Sequence, residues 1–347
     1  MSGRPTPPVP PVRATAALAS TPTIAATPPV APGLADHGIF SMLRAGLDEP
    51  TQRRELIPSA LLLFAAWLGF LAWIGPFVQS PVAAAVLAAV PRPVLLWGVP
   101  ALLLGVAVGA RAAGRRGLAV LAVMLAAYHA GNGLIGIGYA AAAPLTDTLG
   151  DTPWLRFIVR RAIYAAAVCL PMAAIAIVLL RRGEVRLGLG DWRARTRMSR
   201  KDAPITWRRA LLGVGLFGAL PVALLMQAAV RFEPVVTGAI VGIALPVLLM
   251  SLVNATAEEL IFRGFALPAA VRAAGAPRGL WLIGIWFGLH HLGLSVALLA
   301  SLPGVVLLGI GSVYFGKSVL ETRGLAWAIA AHMLFDIAIF SAFYGEF

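Results

Sequence analysis

Nine stretches of almost unbroken apolar sequence constrain this chain more than any other feature. They run at 57–78, 93–110, 117–140, 160–180, 210–231, 236–262, 279–294, 296–316 and 324–344. A helix of about 20 residues crosses a ~30 Å hydrocarbon layer, and in lipid a helix satisfies its own backbone. Each block is long enough to span, or nearly so. The segment 79–92 is too broken by Pro81 and Pro91 to be counted. Pro246 interrupts the sixth block, so that helix is either kinked or starts later and runs past Arg263. The expectation is an all-α polytopic membrane protein with eight or nine transmembrane helices. Composition agrees: 59% of the 347 residues are hydrophobic and 12% charged, with mean hydropathy +0.85. A soluble domain carries about 25% charged residues.

The charges sit between the blocks and read as topology. The net charge is +13, and only Lys201 and Lys317 of the 28 basic residues are lysine. No compact basic domain stands out, so nucleic acid is not an expected partner. The loop 181–209 holds ten basic residues and is cytoplasmic by the positive-inside rule. Counting outward from it puts Arg111, Arg115, Arg116, Arg272, Arg278, Lys317, Arg323 and the N-terminus inside, and the C-terminus outside. Arg156, Arg160 and Arg161 fall on the outer side and conflict with that bias. The Ala/Arg-rich composition suggests a bacterial-type inner membrane. Residues 1–36 are rich in Pro, Ala and Thr and read as a disordered cytoplasmic tail. Residues 37–56 read as a short interfacial segment ending at Arg53, Arg54 and Glu55. Cys169 is the only cysteine, which excludes an intrachain disulfide and a multi-cysteine metal site.

Ionisable side chains inside a membrane are costly, so each is a functional hypothesis. Most fall in the last hundred residues: Glu258, Glu259 and Arg263, then His290 and His291, then His332 and Asp336. The first five blocks hold only Tyr128, His129, Asn132, Tyr164 and Gln227 as comparable polar groups. The chemistry is therefore expected in the C-terminal third. Glu259 and Arg263 are four apart and can pair on one helix face. Glu258 points about 100° away and lacks a partner in its own segment. An unpaired carboxylate in a water-poor site is a candidate general base. His332 and Asp336 are also four apart, so the carboxylate can hold the imidazole by one nitrogen. His290 and His291 diverge by about 100°, so one of them faces any given site. The bland alternatives are a solvated Glu-Glu helix end, a surface ion pair and packing histidines.

Other motifs carry less. Gly188-Leu-Gly190-Asp191 matches the core of intramembrane aspartyl proteases, but it lies in the basic loop and reads as a turn beside the membrane. Gly131-Asn-Gly133-Leu-Ile-Gly136 fits a dinucleotide fingerprint by letter, yet it follows no strand and reads as a helix-packing face. His with carboxylate is zinc-like chemistry, but His-Glu-x-x-His is absent.

Glu258-Glu259-Leu-Ile-Phe-Arg263, Phe287-Gly-Leu-His-His291 and His332-Met-Leu-Phe-Asp336 resemble the motif series of the CAAX-prenyl-endopeptidase-like and bacteriocin-processing family. These are intramembrane glutamic proteases, the type II CAAX endopeptidase family. The resemblance covers residues 210–345 and implies a C-terminal protease helix bundle there, after an N-terminal helical region at 57–180. It implies no cofactor and a metal-independent glutamate base. Glu258 would activate a water that His291 helps to bind. Glu259 and Arg263 would fix the helix, and His332 with residue 336 would stabilise the oxyanion. The family's pattern admits Asn or Asp at the last place. Ionised Asp336 accepts only, so it is either protonated or orients His332. The expected partners are the lipid bilayer and a membrane-associated peptide or protein substrate. Alternatives are a proton-coupled transporter, or an immunity or scaffold protein of the same fold.

Overall fold

The computed structural model describes residues 50–74, 81–149, 152–181, 183–197, 202–229, 237–292 and 302–343. The tail at 1–36, expected to be disordered, lies outside the described residues. Prolines and a glycine punctuate the apolar sequence into helices. α1 is Pro50–Ile74, α2 Pro81–Ala89 and α3 Val99–Ala112, the last entered through a π turn at Val94–Gly98. α4 is Arg116–Thr148 and α5 Pro153–Leu179. A short antiparallel pair, β1 (Arg195–Thr196) with β2 (Ile205–Thr206), precedes α6 (Trp207–Val214). A π turn at Gly215–Ala219 links α6 to α7 (Leu220–Ala229). α8 is Thr237–Glu259, and a π segment Leu260–Ala266 carries it into α9, Leu267–Ala274. α10 (Ala276–His290), α11 (Leu302–Thr322) and α12 (Ala326–Phe343) complete the described chain.

Among the described residues, seven helices are long and apolar enough to cross a membrane: those within 54–73, 94–112, 116–148, 153–179, 207–224, 242–274 and 303–322. They coincide with seven of the nine expected blocks. The other two fall short on length. α10 has 15 residues, and the apolar part of α12 is the shorter helix Ala326–Ala342. Exposed Ile177, Phe217 and Trp97, at 83%, 84% and 76%, suit lipid and would be a liability in water. The chain is an all-α, multi-pass membrane protein.

Several local expectations change. The sixth helix keeps Pro246 inside, starting at Thr237, and also runs past Arg263 through the π segment. α5 starts at Pro153, seven residues before the expected block, so Arg156, Arg160 and Arg161 lie within a membrane helix. Arg54 and Glu55 belong to the first turns of α1 rather than to a separate interfacial piece. Arg115 clasps Glu55 with Nε and Nη2, at 2.7 and 2.8 Å. Gly131 does pack helices. A Cβ there would lie 2.5 Å from Val168 Cα of α5, whereas Gly136 meets nothing within 4 Å.

The basic segment does more than set topology. Gly190, at φ +75°, turns the chain against the α11–α12 corner, where Asp191 N donates to Thr322 O and Leu325 N to Gly188 O. A Cβ on Gly324 would lie 2.3 Å from Gly190 N, so the two glycines allow backbone to meet backbone. Lys317, expected in a cytoplasmic turn, is fully buried and bonded to Glu321 and to Thr196 Oγ1 of β1. Trp207 Nε1 donates to Glu321 Oε2 at 2.9 Å, and Trp327 Nε1 to Trp207 O. Three side-chain bonds, two backbone bonds and the edge-on rings of Trp207 and Trp327 thus fasten residues 188–196 and Trp207 to the α11–α12 corner.

Candidate functional site

The site forms where α8 gives way to the π segment. Glu258 and Glu259 are the last residues of α8, and the wider turn of Leu260–Ala266 follows at once. Such π turns recur at functional positions because they re-aim side chains without breaking the helix. The expected Glu259–Arg263 pair forms. Arg263 Nη1 donates to Glu259 Oε1 at 2.9 Å, and both side chains are fully buried. Arg263 Nε and Nη2 have no hydrogen-bond partner among the described residues. Aromatic faces take their place, with the guanidinium carbon 4.4 Å from the Phe287 ring centroid, 5.5 Å from Phe315 and 5.9 Å from Phe262. Ring quadrupoles attract a desolvated cation. That accounts for the Phe of the Phe-x-x-x-His motif, which sequence spacing left without a role.

His332 of α12 joins the same carboxylate, its Nδ1 2.8 Å from Glu259 Oε1. A carboxylate only accepts, so Nδ1 carries a proton there. This departs from expectation, since Asp336 was to hold the imidazole. Asp336 Oδ1 lies 3.7 Å from His332 Nε2, beyond hydrogen-bond range. Its Oδ2 instead accepts from Asn254 Nδ2 at 3.0 Å. Asn254 was missed, although it sits one helical turn before Glu258. Glu258 Oε2 is also 3.7 Å from Nε2. Nε2 therefore lies near two carboxylates and is bonded to neither.

Glu258 is not unpaired. Arg161 Nη2 of α5, 97 residues earlier, donates to Glu258 Oε1. The partner comes from the N-terminal helices, from the cluster that violated the charge bias, and not from the C-terminal third where the other polar groups lie. Arg161 also stacks on Tyr164, its guanidinium carbon 4.6 Å from the ring centroid. Glu258 Oε2 has no hydrogen-bond partner among the described residues.

The two histidines separate as their spacing requires. His290 is saturated: Nδ1 donates to Trp286 O at 2.8 Å, and Nε2 lies 2.9 Å from Tyr128 Oη. A backbone carbonyl only accepts, so Nδ1 holds the proton and Nε2 accepts from the tyrosine. Phe70, Phe262 and Trp286 crowd its ring, which makes it a packing residue. His291 donates from Nδ1 to Phe287 O at 2.9 Å, leaving Nε2 as its remaining nitrogen. It interacts electrostatically with Glu258 and His332. Glu258, Glu259, Arg263, His291, His332 and Asp336 thus gather in one place, with Arg161 and Asn254 added. Among the described residues, no three His, Cys, Asp or Glu side chains are arranged to hold a metal ion.

No curated protein and no solved structure matches the chain. Residues 240–338, which contain the three motifs, match the family model Rce1-like, described as Type II CAAX prenyl endopeptidase Rce1-like. The segment that builds the glutamate–histidine site is therefore a domain of the Rce1-like type II CAAX prenyl endopeptidase family.

Proposed function

We propose that the protein is an intramembrane glutamic endopeptidase that hydrolyses a peptide bond of a membrane-associated peptide or protein. The observation that carries this is the gap between Glu258 Oε2 and His332 Nε2, 3.7 Å wide and lined by an acceptor without a hydrogen-bond partner among the described residues. A polar separation of that length is one a water or a substrate oxygen bridges. Glu258 takes a proton from the water, and the hydroxyl adds to the scissile carbonyl carbon. His332 Nε2–H donates to the oxyanion that results, the role in which a fixed donor contributes most. Glu258 then passes its proton to the leaving nitrogen as the C–N bond breaks. His291, through Nε2, helps to hold the water.

Charge balance supports the imidazolium form of His332. Three carboxylates, Glu258, Glu259 and Asp336, face the cations Arg161 and Arg263. A proton on each nitrogen of His332 brings the formal sum to zero. Asp336, which cannot donate when ionised, acts by holding the Asn254 amide. In this reading the catalytic domain is 210–345, the loop 181–209 is cytoplasmic with the N-terminus, and the protein resides in a cell inner membrane. The experiment is cleavage of membrane-derived peptides by purified wild type and Glu258→Gln, read by mass spectrometry with and without chelator. Loss in the variant and indifference to chelator is expected. Cleavage by Glu258→Gln, or its abolition by chelator in wild type, overturns the glutamate mechanism.

A further inference from the structure

Arg161 does not only face Glu258. It also lines a cavity of about 340 Å³ at the start of α5, together with Tyr139, Pro153, Arg156, Phe157 and Arg160. The length of α5 sets the depth of this cavity. The uncharged run at 162–179 is about 27 Å long as a helix, close to a hydrocarbon layer of ~30 Å. Arg161 borders that run at one end and Arg181 at the other. Arg160 and Arg156 lie further out, within about 8 Å of Arg161 along the helix axis. The polar layer of a bilayer adds about 5–8 Å on each side of its hydrocarbon. The cavity therefore sits at the level of the lipid phosphates. Tyr139, which is exposed, supplies an aromatic ring of the kind found at that depth. Along the hydrocarbon run, α5 exposes Leu170 and Ile177, so acyl chains flank it.

We propose that this cavity is the headgroup site of an anionic phospholipid, whose phosphodiester is held by Arg160 and Arg161 with Arg156 at the same opening. A guanidinium has five N–H donors, and its planar fork matches phosphate oxygens. Arg161 gives Nη2 to Glu258, while its Nε is buried without a hydrogen-bond partner among the described residues. Arg160 is exposed and available to a ligand. Arg156 and Arg160 are one helical turn apart, where like charges repel, and a bound anion relieves that repulsion. α5 also begins at Pro153 in the cavity wall with no acid in its first turn, so the helix dipole adds to the same sign. Basic pockets between helices at the membrane border are suited to acidic headgroups. Phosphatidylcholine brings its own cation beside the phosphate, which the arginines disfavour. The same residues account for the violation of the positive-inside bias: they face a ligand rather than set topology. The site is independent of the endopeptidase reading. Because Arg161 also holds Glu258, a bound lipid lies one side chain away from the proposed general base.

The test is native mass spectrometry of the full chain in detergent, titrated with dioleoylphosphatidylglycerol or with dioleoylphosphatidylcholine. The first phosphatidylglycerol should bind wild type about tenfold or more tighter than the first phosphatidylcholine, as charge-assisted bonds require. In Arg156→Gln/Arg160→Gln that preference should fall below about threefold, with the Kd of phosphatidylcholine unchanged, which also shows that the variant folds. If the double variant does not fold, Arg160→Gln decides alone: its side chain is exposed, and at least a threefold fall in the preference is expected. Arg193→Gln/Arg195→Gln, in the basic segment, is the control for unspecific attraction and should keep the wild-type preference. Inorganic phosphate and glycerol 3-phosphate, each at the concentration of the lipid, should displace nothing. Equal binding of the two lipids, binding of neither, or a preference that survives loss of the cavity arginines overturns the proposal. So does a preference lost equally in the control variant. Displacement by either soluble phosphate makes the cavity a site for free anions and overturns it as well.

Discussion

Replacing Glu259 with Gln removes one charge from the most enclosed part of the site, and the structure fixes what that costs. Glu259 Oε1 accepts from Arg263 Nη1 at 2.9 Å and from His332 Nδ1 at 2.8 Å, and neither Glu259 nor Arg263 is exposed at all. In the variant the guanidinium stays buried among Phe262, Phe287 and Phe315 without the carboxylate it is hydrogen-bonded to. Stranding one member of a buried pair costs about 3–5 kcal/mol. The Gln carbonyl can keep both bonds as a neutral acceptor, its amide taking the place of Oε2, which has no hydrogen-bond partner among the described residues, so the loss is one of charge. The double variant Glu259→Gln/Arg263→Met should recover about 2 kcal/mol of that loss, because the stranded cation is gone and a flexible apolar chain fills the aromatic cage. Equilibrium SDS titration in mixed micelles, followed by tryptophan fluorescence, measures all four corners of the cycle. A Glu259→Gln loss below about 1 kcal/mol, or additive single effects, would refute the reasoning, because the pair would then behave like an exposed one.

Three further outcomes are expected. Lys317→Met should destabilise by about 3 kcal/mol in the same titration, because it leaves buried Glu321 with Trp207 Nε1 and no cation. Gly190→Ala should cost about 1–3 kcal/mol and expose the 183–197 segment to limited proteolysis, since φ there is +75° and the new Cβ would lie 2.9 Å from Thr322 O. Asp336→Asn should keep cleavage within about tenfold of wild type, as its amide oxygen still accepts from Asn254, while Asp336→Ala should fall further; equal rates for the two would detach Asn254 from the site.

Several local patterns were legible because the relevant partner lies within one turn of the same helix. Seven of the nine apolar blocks are spanning helices, and the pairing of Glu259 with Arg263 follows from their separation of four residues. The divergence of His290 from His291 follows from a rotation of 100° per residue. The same rule misled at His332 and Asp336. They share a face, but a carboxylate from α8 reaches the imidazole first, at 2.8 Å against 3.7 Å. Helical spacing says which side chains can meet and nothing about competitors on a neighbouring helix. Lys317 shows a related limit. By sequence it belongs to a basic turn, and only the docking of Thr196 and Trp207 against α11 shows that it is buried.

Arg161 is the instructive omission, because the sequence did contain a trace of it. A carboxylate at 258 with no partner in its own segment, inside a membrane, implies a cation from another segment. Three arginines on the side where the charge bias admits few were the available donors, and they read as an irregularity of topology only while the helix was taken to begin at Arg160, with these residues at its edge. Once the helix starts at Pro153, the two anomalies become one ion pair between α5 and the end of α8. The two halves of the chain are thereby joined at Glu258, the proposed general base. It follows that the N-terminal helices are not merely an anchor for the Rce1-like domain: a truncated chain beginning after α5 would keep all three motifs and lose the cation that balances Glu258.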